Sequence, residues 1–172
     1  MREYLVAANA SIADLELRSN AVERAADSLQ AARQAAAEIG SRDQLAELGR
    51  CQALLALKLG DIDQALEAAH RALNAAQEEE DAAELGLCLR VLGQVLAEMG
   101  NGEQAQRALA ESTELLAGRP YEAARSLAAL GQLRLRAGEA QVGRAQGEQA
   151  RATFIRLGAT QDLAEVEQWL GA

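Results

Sequence analysis

The sequence is poor in the residues that most active sites and many folds depend on. It has one Trp, two Tyr and one Phe in 172 residues, a single Pro, two Cys and a single His. So few aromatics, set against abundant Ala and Leu, argue against strands and for helices packed through small side chains. One histidine, His70, between Ala69 and Arg71, has no His or Cys one helical turn away to share a metal, and no nucleophile motif beside it. It reads as a solvated or rim residue. Cys51 and Cys88 are 37 positions apart with no CxxC spacing, so buried free thiols in a reducing, cytoplasmic setting are expected rather than a disulfide or a metal site.

Positive charge is also scarce. Seventeen Lys and Arg against 26 Asp and Glu give a formal charge of -9, which repels a phosphate backbone unless the basic residues gather on one face. Nucleic-acid binding by this segment alone is not expected. No apolar run approaches the roughly 20 residues needed to cross a bilayer. The stretch from Met1 lacks a charged segment followed by an apolar core, so no secretory signal is expected either.

What is present is a repeat. Asn20, Gly60, Gly100 and Gly138 stand 40, 40 and 38 residues apart, each between two helical patterns. Gly, or Asn, ends a helix in the left-handed conformation without the usual Cβ penalty. Seven residues before these positions come Ala13, Ala53, Gly93 and Gly131, and five after them Ala25, Ala65, Ala105 and Gly143. Leu29, Ala69, Leu109 and Gly147 form a further column, then Ala32, Ala72, Ser112 and Ala150. Small residues on both arms of a hairpin let two backbones approach, while Leu92, Leu96, Leu130 and Leu133 fill the flanks.

These columns predict first helices at about 3–18, 43–59, 82–99 and 121–137. Second helices follow at about 21–39, 62–78, 103–117 and 140–157, with a closing helix at about 162–170. Gly40, in "IGSRDQLAEL", matches Gly158 in "LGATQDLAEV" as a helix-ending glycine, and Pro120 sits where a helix start tolerates it. The expected fold is all-α: a right-handed α-solenoid of about four antiparallel helical hairpins in one domain. The repeats cover about 1–40, 41–80, 81–119 and 120–160, and a capping helix lies within 161–172, with Leu163, Val166, Trp169 and Leu170 over the last flank.

"LGQVLAEMGNGEQAQRAL" and "LAALGQLRLRAGEA" resemble tetratricopeptide repeats, which couple Leu-Gly in one helix with a Gly turn and an Ala in the next. Leu92-Gly93, Gly100 and Ala105 match that pattern, as do Leu130-Gly131 and Gly138, while its aromatic positions hold Leu, Ala or Arg. Tetratricopeptide units run to about 34 residues and armadillo or HEAT units to about 40–47. The long period here, in "YEAARSLAALGQLRLRAGE" and "ATFIRLGATQDLAEVEQWL", is similar to the C-terminal helical arrays of bacterial STAND ATPases and large LuxR-type regulators. That resemblance implies a protein- or peptide-binding scaffold in signalling or regulation, alone or as part of a larger regulator, with self-association into a homo-oligomer as the alternative. Neither an ATPase nor a DNA-binding part is present.

In such arrays the first helices line a concave binding face. Helical spacing places Arg50, Leu54 and Lys58 there in the second repeat, Arg90 and Gln94 in the third, and Arg125, Gln132 and Arg136 in the fourth. Arginines collected on the groove of an acidic chain suggest a partner bearing carboxylates, held by forked hydrogen bonds, against the plainer reading that they only solubilise the surface. The chaperone-tail clamp of the family adds Asn beside such a position. Cys51 and Val91 stand there instead, so that partner is not expected. The glycines 138, 143 and 147 lack the Gly-Lys-Ser/Thr of a phosphate loop and read as close-packing positions. The acidic run "QEEED", Gln77 to Asp81, reads as a solvated connection. No catalytic constellation, cofactor or metal site is expected.

Overall fold

The computed structural model describes residues 2–39 and 45–171, with backbone only for Arg2 and Glu3. Among the described residues there are nine α-helices and no strand. The helices are α1 (Arg2–Arg18), α2 (Val22–Ile39), α3 (Leu45–Leu59), α4 (Ile62–Glu78), α5 (Ala82–Glu98), α6 (Gly102–Leu115), α7 (Pro120–Arg136), α8 (Ala140–Leu157) and α9 (Thr160–Leu170). The expected helix end at Gly40, and the first two residues of the helix expected from 43, lie outside the described residues.

The bends follow one backbone recipe. Asn20, Gly60, Gly100 and Gly138 all have positive φ, at 58°, 79°, 80° and 85°. At each, two hydrogen bonds close the preceding helix: Gly60 N donates to Leu57 O and Asp61 N to Ala56 O, and the same pair recurs from Gly100 and Asn101, and from Gly138 and Glu139. This is the Schellman arrangement, which satisfies carbonyls that would otherwise be orphaned at the helix end. Gly158 closes α8 in the same way. Glu80, inside the acidic run, takes this role between α4 and α5 with φ 55° although it carries a side chain. Asp81 then caps α5, its carboxylate accepting from Ala83 N at 2.9 Å and Glu84 N at 3.0 Å. The acidic run is thus a helix end and a helix start.

The chain divides into two compact units, Met1–Glu84 and Leu85–Ala172. In the first, α1 packs along α2 and α3 along α4. The core is built from Val6, Ala10, Ala13 and Leu17 of α1, Ala25, Leu29, Ala32 and Ala36 of α2, and Leu48 and Cys51 of α3. Gly49 brings α3 against α4, where an added Cβ would stand 3.0 Å from that of Ala72.

In the second unit the small-residue columns meet as backbone contacts. A Cβ on Gly93 would lie 2.7 Å from Leu109 Cγ, and one on Gly131 would lie 2.9 Å from the Gly143 carbonyl. Gly147 is covered by Trp169. The glycines of α8 are therefore close-packing positions, and the helix propensity they forfeit, about 1 kcal/mol each, is the cost of that approach. Helix α9 lies on α7 and α8: Val166 is buried with Ala124, Ala150 and Phe154, and Leu163, Trp169 and Leu170 pack around them. Helix α6 ends at Leu115, two residues earlier than expected, and the fully buried side chain of Leu116 lies against Gly86.

Candidate interaction surface

Two of the predicted surface residues are interior. Arg50 and Arg90 are each only 5% exposed. Arg50 bridges two helices, Nη1 donating to Asp14 of α1 at 2.6 Å and Nε to Glu84 at 2.7 Å. Arg90 Nη2 donates to the Glu122 carboxylate at 2.6 Å, and Nη1 to the Glu122 carbonyl at 3.0 Å and Ser126 Oγ at 3.5 Å. The carboxylates these arginines engage thus belong to the chain itself. Glu84 and Glu122 hold equivalent places, 16 residues before Gly100 and Gly138, and Arg50 and Arg90 stand 10 before Gly60 and Gly100. Arg50 thus divides its charge-assisted contacts between Asp14 of α1 and Glu84, whereas Arg90 makes its own with Glu122 and Ser126 of α7.

Beside Arg90, Ser112 and Ser126 are fully buried. Ser112 Oγ donates to the Gly86 carbonyl at 2.6 Å and lies 2.8 Å from Ser126 Oγ, tying α5, α6 and α7 together. Around Arg50, burial opposes the charged guanidinium, but Glu84 foremost, with Asp14, outweighs it and holds its pKa well above the ordinary value. Burial pushes the Cys51 thiol up to about 12, so it is protonated at neutral pH, and its Sγ contacts the Ala10 carbonyl at 3.7 Å. Cys51 and Cys88 are buried and not in a disulfide, and His70 is exposed.

The second unit contains a small groove of about 120 Å³ between α5, α7 and α9. Four of the predicted residues, Arg90, Gln94, Arg125 and Gln132, line it together with Asp162, Glu165 and Trp169. Arg125 is held more loosely than Arg90: Nε is 3.3 Å from Asp162, Nη1 is 3.6 Å from Glu122, and the guanidinium lies over the Tyr121 ring at 5.9 Å. Tyr121 in turn donates to Asp162 at 2.8 Å. Arg136 is exposed further along α7, 3.9 Å from Glu98.

In the first unit, Leu54 packs against the core, and the exposed Lys58 donates to Asn20 at 3.0 Å. Two wider grooves open there, of about 590 and 560 Å³. One has an apolar floor of Ala36, Leu48 and Ala75 between Arg33 and Arg71, and the other is lined by Leu29, Gln30, Gln34 and Gln64. Arg50, Leu54 and Lys58 line neither. Among the described residues no cluster of His, Cys, Asp and Glu could hold a metal, and no helix is long and apolar enough to cross a membrane.

With this geometry in view, the fold can be set beside known structures. The Signal Transduction ATPase with Numerous Domains (STAND) protein with a tetratricopeptide repeat sensor from Pyrococcus horikoshii superposes on 99% of the chain, with a TM-score of 0.71 and 15% identity. The chain spans only 27% of that protein. BtubC (BKLC) from P. vanneervenii superposes on 92% of the chain, with a TM-score of 0.65 and 21% identity, over 72% of its own length. No protein-family model and no curated protein matches the sequence. The fold is all-α, of the helical-repeat solenoid class. At these identities the likeness is one of fold.

Proposed function

We propose that this chain is a non-catalytic scaffold that binds a protein or peptide, with the α5–α7–α9 groove as its docking site. The observation that carries this reading is the convergence of Arg90, Gln94, Arg125 and Gln132, from two first helices, beside the Trp169 ring. Their roles differ. Arg90, at 2.6 Å from Glu122, stays with its internal partner and positions α5 against α7. Arg125, at 3.3 and 3.6 Å from its acids, is the cation that a partner carboxylate can take over, while Gln94 and Gln132 offer amides to the partner's backbone. Arg136 adds an exposed donor on α7, and Lys58 one in the first unit. Arg50 and Leu54 serve indirectly, by holding helices in place.

The similar STAND protein carries its tetratricopeptide repeats as a sensor. A sensor or adaptor part in bacterial cytoplasmic signalling is the setting we infer. The test is a quantitative pull-down with the wild-type chain and with an Arg125→Glu/Gln132→Ala variant of equal helicity by circular dichroism. A protein retained by the first and lost by the second supports the groove. Equal retention by both overturns it.

A further inference from the structure

The two wide grooves of the first unit form one channel. Both lie between α2 and α4 with α3 beneath, and Arg33 and Gln52 line both. The halves differ in chemistry. On one side of Arg33 the floor is apolar, made by Ala36, Leu45, Leu48 and Ala75, in a volume of about 590 Å³. On the other side the amides of Gln30, Gln34 and Gln64 dominate the lining.

The repeat register accounts for the open floor. Ala36 and Ala75 stand 16 and 15 residues after Asn20 and Gly60, in places where the end of the third hairpin has Leu116 and Leu115. Alanine on both walls leaves unfilled the volume that leucine would take.

Charge gives the apolar half a direction. Arg33 and Arg71 come three and four positions before Ala36 and Ala75 on their helices, so both stand at the end of the floor that joins the amide-lined half. Glu78 stands at the other end, seven residues beyond Arg71. Arg71 is shared with Glu67 at 2.6 Å, in a pair exposed to solvent. Arg33 has no acidic partner among the described residues.

These features select the occupant. From Arg71 to Glu78 the floor runs about 10 Å along α4, far short of the face a protein partner covers, and the volume is that of a small-molecule pocket. One free and one shared guanidinium match a single negative charge. The second charge of a phosphate would face Glu67 and Glu78 with no free cation to balance it. We infer that the channel binds a compact amphipathic carboxylate, its apolar body on the Ala36–Leu48–Ala75 floor and its head at Arg33 and Arg71, with Gln52 as a further donor. The inference is independent of the α5–α7–α9 groove.

The probe is octanoate, with octanol and octylamine as its neutral and cationic counterparts, followed by amide chemical shifts of the isotopically labelled chain. Octanoate is expected to saturate and to shift signals at 33–37, 45–52 and 71–78. Octanol should bind about tenfold more weakly, and octylamine should not bind. Arg33→Ala/Arg71→Ala, both exposed sites, should weaken octanoate about tenfold and leave octanol unchanged. Ala75→Leu, which copies Leu115 of the third hairpin, should abolish binding of both at unchanged helicity. Inorganic phosphate should not displace octanoate, and Arg125→Glu/Gln132→Ala should bind it as the wild type does. No saturable shift with octanoate, equal affinity for octanol, undiminished affinity in either channel variant, displacement by phosphate, or shifts centred on α7 and α9 would each overturn the inference.

Discussion

Arg50 makes the case that a charged residue at helical spacing can serve the interior of the protein. Its guanidinium holds Asp14 and Glu84 at once, in a setting where its side chain is 6% exposed. Removing one member of a buried ion pair strands the others, so Arg50→Ala should cost about 3–5 kcal/mol in urea denaturation. Arg50→Lys should recover only part of this, because an ammonium cannot reproduce the fork that spans two carboxylates. Nearby, burial holds Glu47 above the ordinary carboxylate value of 4.5 against the pull of Arg50, and Glu84 adds to the rise. A raised folded-state pKa means that Glu47 favours the fold when protonated. That contribution is complete below 4.5 and is lost as pH rises through the raised value. Glu47→Gln should therefore melt higher than wild type at pH 7, with the gap closing on acidification. Thermal melts over a pH series check it, and a constant gap would contradict the stated cause.

Elements were the level at which the sequence spoke most clearly. The turns were legible because a left-handed helix end demands Gly or Asn, and the columns of small residues mark where backbones touch. Glu80 was not legible, since nothing in its type announces a positive φ. Glu80→Gly should stabilise the fold by about 0.5 kcal/mol in urea denaturation, the relief of the left-handed strain less the extra freedom given to the unfolded chain. Gly93→Ala should cost about 1–3 kcal/mol, because the new methyl meets Leu109 at 2.7 Å. In a Leu109→Ala background, itself destabilised, the same change should cost less, and a double-mutant cycle with no such coupling would show that the clash lies elsewhere. The internal partners of Arg50 and Arg90 were also missed. The signal was present: Glu84 and Glu122 share a column, and each is one repeat ahead of its arginine.

At the scale of the whole molecule, repetition has been put to different uses along the chain. Equivalent arginines hold internal carboxylates, Arg50 in the first unit and Arg90 in the second, while the fourth repeat carries Ala128 in that column and leaves Arg125 to Asp162 of α9. That substitution opens the α5–α7–α9 groove and gives it a loosely held cation. The helical-repeat class was readable from periodicity, and so was a closing helix over the last hairpin, whereas nothing in the pattern showed that Asp162 of α9 would hold Arg125 beside the groove. The most direct measurement is hydrogen–deuterium exchange of the intact chain, alone and with the protein it retains in a pull-down. The account predicts new protection concentrated at 90–94, 125–132 and 162–169. Protection confined to α2 and α4, with those three segments unchanged, would contradict it.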